Sequence, residues 1–350
     1  MRNHTLTAYG APVEIVCQEE PTPSGTEVVI EVTRCGVCHT DVSIQKGYYD
    51  LGGGKRYEMA DRGLKPPIIL GHEIAGRLIA QGPGAEIGAD QIGRSFVVYP
   101  WIGCGECVNC AAGREHMCLK PRFHGLQRPG GQAERIVVPH ARYLIDIEGI
   151  DPGLAATYAC SGLTSFSALR KLGPAAPTAP LLLIGAGGLG QSALALARAL
   201  GFQRIVVADI SPEKRAIAAQ AGAHLVIDPA DADAIARLTG TIAGAVDFVG
   251  NASSAALGMQ VLARGGSYVV VGLLGGEVTL SLAPITLRPI SIIGSLTGSL
   301  AELHELIDLA KAGKLPPFEI ETLRRDQTNE ALDRVRTGQV RGRLVLASND

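Results

Sequence analysis

Two groups of residues in this chain have the types and spacing of metal ligands. The first is the run Cys104-x2-Cys107-x2-Cys110-x7-Cys118. Four thiols that close together can wrap one tetrahedral Zn²⁺, with Gly103, Gly105 and Gly113 letting the backbone curl around the ion. An all-thiolate site leaves no open coordination position, so such an ion would hold a loop together and do no chemistry. Disulfide pairing is the alternative for these cysteines, and the Cys-x2-Cys spacing fits tetrathiolate geometry better.

The second group is scattered. "RCGVCHTDV" gathers Cys38, His39, Thr40 and Asp41 in one turn, "LGHEIAG" carries His72 and Glu73, and "TYACSGLT" carries Cys160. Each residue alone says little, because a buried cysteine is usually an apolar filler. Taken together, Cys38, His72 and Cys160 offer three ligands to a zinc and leave the fourth position to water or an alcohol oxygen.

A third feature binds phosphate. Gly185-Ala186-Gly187-Gly188-Leu189-Gly190 is G-x-G-x-x-G placed between an apolar run and a helical one, the context that makes the pattern specific for dinucleotides. Gly185 permits the tight turn, Gly187 the approach of a pyrophosphate, and Gly190 close packing of helix on strand, with Gly188 and Leu189 completing the loop. Asp209 ends the next apolar run, where a carboxylate accepts hydrogen bonds from the adenosine ribose and repels a 2′-phosphate, favouring NAD. Lys214 follows within reach of the same ribose. The alternative role for Asp209 is to cap the helix beginning at Ser211–Pro212.

The elements that must position these groups fall into two styles. Up to residue 150 short β-branched runs such as "EVVIEVTRCGVC" and "AERIVVPHARYLIDI" alternate with Pro and Gly, which predicts an irregular mostly-β unit. Near Asp151 the pattern becomes helical, and Pro174–Pro180 reads as a linker. Beyond it "LLLIG", "RIVVAD", "LVID", "AVDFVG" and "SYVVVG" alternate with helical stretches, as in a parallel sheet with crossover helices. A helix around Ala301–Ala312 and a closing strand "GRLVLAS" follow, the latter returning to the first unit. At 350 residues two domains are expected, and 44 glycines with 4% aromatics fit an α/β chain rich in tight turns. A net charge of -2 without Lys/Arg clusters argues against nucleic-acid or membrane partners. The amino terminus has no secretory pattern, so the chain is expected in the cytoplasm, where clustered thiols stay reduced.

On "GHE", the cysteine run opening with "YPWIGCG", "GAGGLG" and "GRLVL", the chain resembles the zinc-dependent alcohol dehydrogenases of the medium-chain dehydrogenase/reductase family, bacterial and yeast type, from about Glu27 to Leu346. The resemblance implies a GroES-like catalytic domain over 1–150, with 295–350 returning to it, and a doubly wound Rossmann domain over 151–294. It implies a catalytic zinc on Cys38, His72 and Cys160 and a structural zinc on the four clustered cysteines. Asp41 would support His72, Glu73 would sit near the zinc, and Thr40 would take the alcohol proton. His39 and Arg343 would contact the pyrophosphate. Trp101 would wall the substrate pocket, with core packing as its alternative. Cys17 and Cys35 are left as packing residues.

Two departures stand out. Ser43 occupies a position where many relatives carry a histidine that ends a proton relay. The stretch 47–65 is long, and its Tyr48, Tyr49, Tyr57 and Met59 either shape a wide pocket or belong to a solvated loop. The expected activity is hydride transfer between an alcohol and NAD. A polyol or sugar dehydrogenase is the neighbouring alternative, although such relatives usually have a carboxylate where Cys160 stands. An NAD-binding protein without turnover is the alternative from another class. Relatives form homotetramers or homodimers through their Rossmann domains, with "PISIIGSL" as the candidate edge here.

Overall fold

The structure is a computed structural model that describes residues 1–173, 178–316 and 318–348. Of the expected linker, residues 174–177 lie outside the described ones. The chain divides into two units: residues 1–48, 58–163 and 298–350, and residues 49–57 and 164–297. The first unit runs past the expected boundary at residue 150 because helix Pro152–Thr157 packs on strands Val28–Val37 and Glu73–Gln81.

In the first unit, six strands lie in the order Leu144–Asp146, Ser95–Val98, Glu73–Gln81, Val28–Val37, Arg343–Ala347 and Ile320–Arg324, and Arg135–Val138 also pairs with Val28–Val37. The closing strand pairs antiparallel with Val28–Val37, with Leu344 opposite Val37 and Leu346 opposite Cys35. A smaller sheet joins Val13–Cys17, Arg2–Leu6 and Ile68–Ile69. Val28–Val37 is the spine of the unit. Its valines and isoleucine are buried, and it enters the metal-ligand turn without a break.

In the second unit, six strands run in parallel in the order Leu225–Ile227, Ile205–Ala208, Leu181–Ile184, Ile242–Asp247, Leu262–Val270 and Ser291–Gly294. This is the doubly wound order, which reverses direction beside Leu181–Ile184 and leaves its ligand crevice there. Leu182, Ile184, Val206, Ala208, Ala245 and Tyr268 form the core, so the strands read as continuous apolar runs without alternation. The edge strand Ser291–Gly294 falls on the "PISIIGSL" segment and leaves Ile292 44% and Leu296 53% exposed.

The long stretch 47–65 is neither an open loop nor irregular. Strands Tyr48–Gly52 and Lys55–Glu58 form a hairpin whose Gly53 and Gly54 have φ of 57° and 76°, the paired left-handed conformation of a type I′ turn. Residues 49–57 belong with the second unit. A Cβ on Gly52 would lie 2.7 Å from the Gly276 backbone, and Lys55 pairs with Glu277 at 2.9 Å. Met59, for which a pocket wall and a solvated loop were the two alternatives, is fully buried, with its N–H bonded to the Gly47 carbonyl at 2.8 Å.

Candidate metal centre and nucleotide site

Cys38 and His72 meet because of strand register. Val28–Val37 and Glu73–Gln81 are antiparallel with Gly36 opposite Glu73, so the residue leaving one strand faces the residue entering the other. Cys38 caps helix His39–Lys46, its Sγ accepting the Thr40 N–H at 3.4 Å. Cys160 arrives from a π-helical turn, Tyr158–Gly162, between helices Pro152–Thr157 and Leu163–Arg170. Such a turn inserts a residue into a helix and re-aims its side chains. The ligand atoms of Cys38, His72 and Cys160 all lie within 4.8 Å of one another, and all three residues are buried.

Asp41 organises the centre. Its carboxylate accepts the Cys38 N–H at 3.0 Å and the Gly71 N–H at 3.1 Å, and lies 3.4 Å from His72 Nδ1. That neighbour directs the Nδ1 proton toward Asp41 and leaves Nε2 for a metal. Among the described residues neither His72 nitrogen has a hydrogen-bond partner, although both are buried. A buried imidazole and two buried thiols whose ligand atoms converge within 4.8 Å fit a metal ion. The electrostatics agree: the hydrogen bond from Cys160 holds the Cys38 thiol well below its ordinary value against the effect of burial, with His72 adding to it. Burial pulls the His72 ring down, but Asp41 and Cys38 outweigh it and raise it.

Behind the ligands lies a buried ion pair not expected from the sequence. Arg343 Nη2 is 2.5 Å from both Glu73 carboxylate oxygens, with side-chain exposures of 7% and 0%. The Ser161 N–H also donates to Glu73, at 3.3 Å. A Cβ on Gly36 would fall 1.9 Å from Glu73 Oε2, so only glycine leaves room for the carboxylate. Burial lifts the Glu73 carboxyl above its ordinary value, and Arg343 works against that lift. The partners are 270 residues apart, which is why no local pattern signals them. Arg343, expected at a pyrophosphate, is thus engaged inside the first unit.

Trp101 is 4% exposed, with its indole N–H bonded to the Ala159 carbonyl at 2.9 Å and its ring centroid 5.3 Å from His72. It is both packed in the core and adjacent to the ligand set. Thr40 is half-buried and His39 exposed at the start of their helix. Tyr48, half-buried, carries the Lys46 ammonium 4.0 Å above its ring, and Tyr49 is likewise half-buried. Cys35 is buried as expected, whereas Cys17 is exposed, its side chain lying on the outer face of an edge strand.

The four clustered thiols lie at 3.6 Å (Cys107–Cys110), 3.8 Å (Cys107–Cys118) and 3.9 Å (Cys104–Cys110). A tetrahedron with Zn–S bonds of about 2.3 Å has edges of about 3.8 Å, so the cage fits zinc. It is far too open for disulfides, whose S–S bond is about 2.05 Å. Gly105 and Gly113 have φ of 87° and 70°, and a Cβ on Gly103 would lie 2.3 Å from Cys110 Sγ. Backbone donors around Cys107 pull its thiol down to about 6. Buried Glu115 anchors the lobe by accepting the Gly103 N–H, the Tyr143 hydroxyl and Arg142.

In the second unit, the G-x-G-x-x-G turn joins strand Leu181–Ile184 to helix Gly188–Ala199, capped by Gly187. Gly185 has φ of 92°, and a Cβ on Gly190 would fall 1.8 Å from the Gly185 carbonyl oxygen. A Cβ on Gly187 would meet nothing within 4 Å. The turn therefore exposes bare backbone at a helix N-terminus, a cradle that suits a pyrophosphate; Gly188 and Leu189 form its half-buried rim. Asp209 Oδ2 accepts the Ala186 N–H at 2.7 Å and Oδ1 the Ser211 N–H at 2.8 Å. It braces the glycine turn and keeps lone pairs for a ribose. Ser211 caps the following helix, accepting the Lys214 N–H at 3.3 Å.

Comparison with known proteins agrees with this anatomy. Residues 24–149 match the family described as "Alcohol dehydrogenase GroES-like domain", and residues 188–312 match "Zinc-binding dehydrogenase". An NAD-dependent alcohol dehydrogenase of Sulfurisphaera tokodaii is 34% identical, with 99% of each chain covered. A D-arabinose 1-dehydrogenase (NADP(+)) of Saccharolobus solfataricus is 31% identical, covering 97% of this chain and 96% of its own. Among solved structures, the cobalt- and zinc-bound thermostable alcohol dehydrogenase of Pyrobaculum aerophilum superposes with a TM-score of 0.84 at 27% identity, with 99% of both chains covered.

Proposed function

Because this chain belongs to the zinc-binding alcohol dehydrogenase family, we propose that it passes a hydride between an alcohol and NAD, giving an aldehyde or ketone. The observation that carries this reading is the convergence of Cys38, His72 and Cys160 within 4.8 Å, buried and offering three ligands only. A zinc ion held there supplies Lewis-acid polarisation of an alcohol or carbonyl oxygen, and NAD supplies the hydride acceptor.

The chain's own residues do the rest. Cys38 and Cys160 offer two thiolate charges against a dication, and Asp41 keeps His72 in the tautomer that presents Nε2. Thr40, half-buried beside the ligand turn, takes the hydroxyl proton in this reading. Ser43, three residues on, can pass a proton through water but cannot store one near neutral pH. Trp101 covers one side of His72 and keeps water from it. The Gly185–Gly190 turn and Asp209 hold the dinucleotide, with the carboxylate selecting NAD over NADP.

The same reading includes a second, structural zinc on Cys104, Cys107, Cys110 and Cys118. It also includes assembly into a homotetramer or homodimer through the exposed edge strand Ser291–Gly294, and residence in the cytoplasm. Metal analysis together with NAD⁺ reduction over aliphatic, aromatic and polyol substrates tests it. Two zinc ions per chain with turnover of simple or aromatic alcohols support the proposal; turnover that survives Cys38→Ser removes it. The D-arabinose dehydrogenase relative favours sugars as the second substrate class, and a larger kcat/KM for an aldose than for any simple alcohol would establish it.

A further inference from the structure

A cavity of about 370 Å³ lies beside the four-cysteine lobe, away from the ligand set of Cys38, His72 and Cys160. Its walls include Cys104, Arg122, Arg128, Arg142 and Tyr143. Three arginines thus line one volume, and their charges are unevenly answered. Arg142 is satisfied by Glu115 at 2.7 Å and by the Tyr143 hydroxyl at 2.5 Å. Among the described residues, Arg122 and Arg128 have no carboxylate oxygen within 4.0 Å, and the Arg128 Nε is buried without a hydrogen-bond partner.

The carboxylates nearby are already committed. Glu115 accepts from the Gly103 N–H, Tyr143 and Arg142. Glu27 accepts from the Ser24 N–H and hydroxyl. Partial burial makes the Arg128 charge costly, and Arg122 adds to that cost. Two like charges held on one cavity wall without counterions form an arrangement that a bound anion relieves, and a planar guanidinium pairs with an oxoanion through two parallel hydrogen bonds. The volume falls in the range of small-molecule sites.

We propose that this cavity binds a small oxoanion, the phosphoryl or carboxylate group of a metabolite, on Arg122 and Arg128. Such an anion would also draw the lobe and the turn at Tyr143 together, since both line the cavity and Glu115 already links them. The site is separate from the nucleotide turn, so the proposal stands or falls independently of the alcohol dehydrogenase reading.

Calorimetric titration of the zinc-loaded enzyme, saturated with NADH so that its nucleotide site is filled, tests the proposal. Inorganic phosphate and citrate are the two probes, and sodium chloride at matched ionic strength is the reference. Saturable binding of at least one probe is expected, and the stronger of the two names the source as phosphoryl or carboxylate. Arg128→Gln and Arg122→Gln should each weaken it about tenfold or more and leave alcohol turnover unchanged. Should Arg128→Gln not fold, Arg128→Lys keeps the charge, loses the fork and should still bind several-fold more weakly. Heats no larger than those of chloride, or affinity unchanged in whichever Arg128 variant folds, would overturn the proposal.

Discussion

Replacing Arg343 by Met is the most discriminating test of how the first unit holds its metal site. The substitution keeps an apolar stem and removes the only cation that, among the described residues, bonds to the fully buried Glu73 carboxylate. Removing one partner of a buried pair costs about 3–5 kcal/mol, because the other charge is left desolvated and unpaired. For a unit of this size, each kcal/mol moves the melting midpoint by about 2–4 °C, so a fall of roughly 6–20 °C is expected. Adding Glu73→Gln removes the stranded charge, and the double variant should regain a large part of the loss. The assay is thermal unfolding of the zinc-loaded protein, followed by near-ultraviolet circular dichroism, for the parent, both single variants and the double. NADH affinity is measured by fluorescence alongside. Were Arg343 mainly a contact to the cofactor pyrophosphate, the pattern would invert: Arg343→Met would weaken NADH binding tenfold or more and barely move the midpoint. That result, with no recovery in the double variant, would refute the argument from burial.

The other expectations concern the remaining parts of the two units. Asp41→Asn keeps an acceptor for only one of the Cys38 and Gly71 N–H groups, which meet different carboxylate oxygens, and loses the charge beside His72. It should lower zinc affinity by about 10–100-fold in a chelator competition. Gly190→Ala drives a methyl group to within 1.8 Å of the Gly185 carbonyl and should cost about 1–3 kcal/mol of overpacking, while also weakening NADH binding; an unchanged dissociation constant would argue against the turn as the cofactor cradle. Cys107→Ser should reduce zinc by one ion per chain and expose the segment 103–118 to protease, and full zinc content would count against the cage. His124, 1% exposed and bonded through Nδ1 to the Pro129 carbonyl at 2.8 Å, is held down to about 4 by burial. The unfolded chain protonates it near 6.5, so between those values the unfolded state binds more protons. The stability it contributes is therefore complete above about pH 6.5 and lost as the pH falls toward 4, about 3 kcal/mol at the limit. His124→Asn should flatten that limb of the melting-point profile, and an equal acid loss in both proteins would reject the assignment.

Much of the chemistry was legible without coordinates, for reasons of spacing. The four cysteines lie within fifteen residues, and a cage closed by so short a loop needs no distant partner. The G-x-G-x-x-G turn is equally local, since strand, turn and helix are consecutive, and the apolar runs on both sides announce a parallel sheet buried on both faces. The hairpin over Tyr48–Glu58 was the local element left unread, although its Gly-Gly pair at the turn carried the signal. What depends on register or on distant pairing could not be read. Gly36 must be glycine because Glu73 fills the space across the strand pair, and Glu73 needs Arg343 from a strand that returns 270 residues later. The resemblance already paired Asp41 with His72; only the fold brings the Gly71 N–H, from a distant segment, to the same carboxylate. The residue types alone stated which atoms could hold zinc and a nucleotide. Tertiary structure decided how the ligands are oriented and which charges are neutralised, because desolvation and counterion placement are properties of the packed interior.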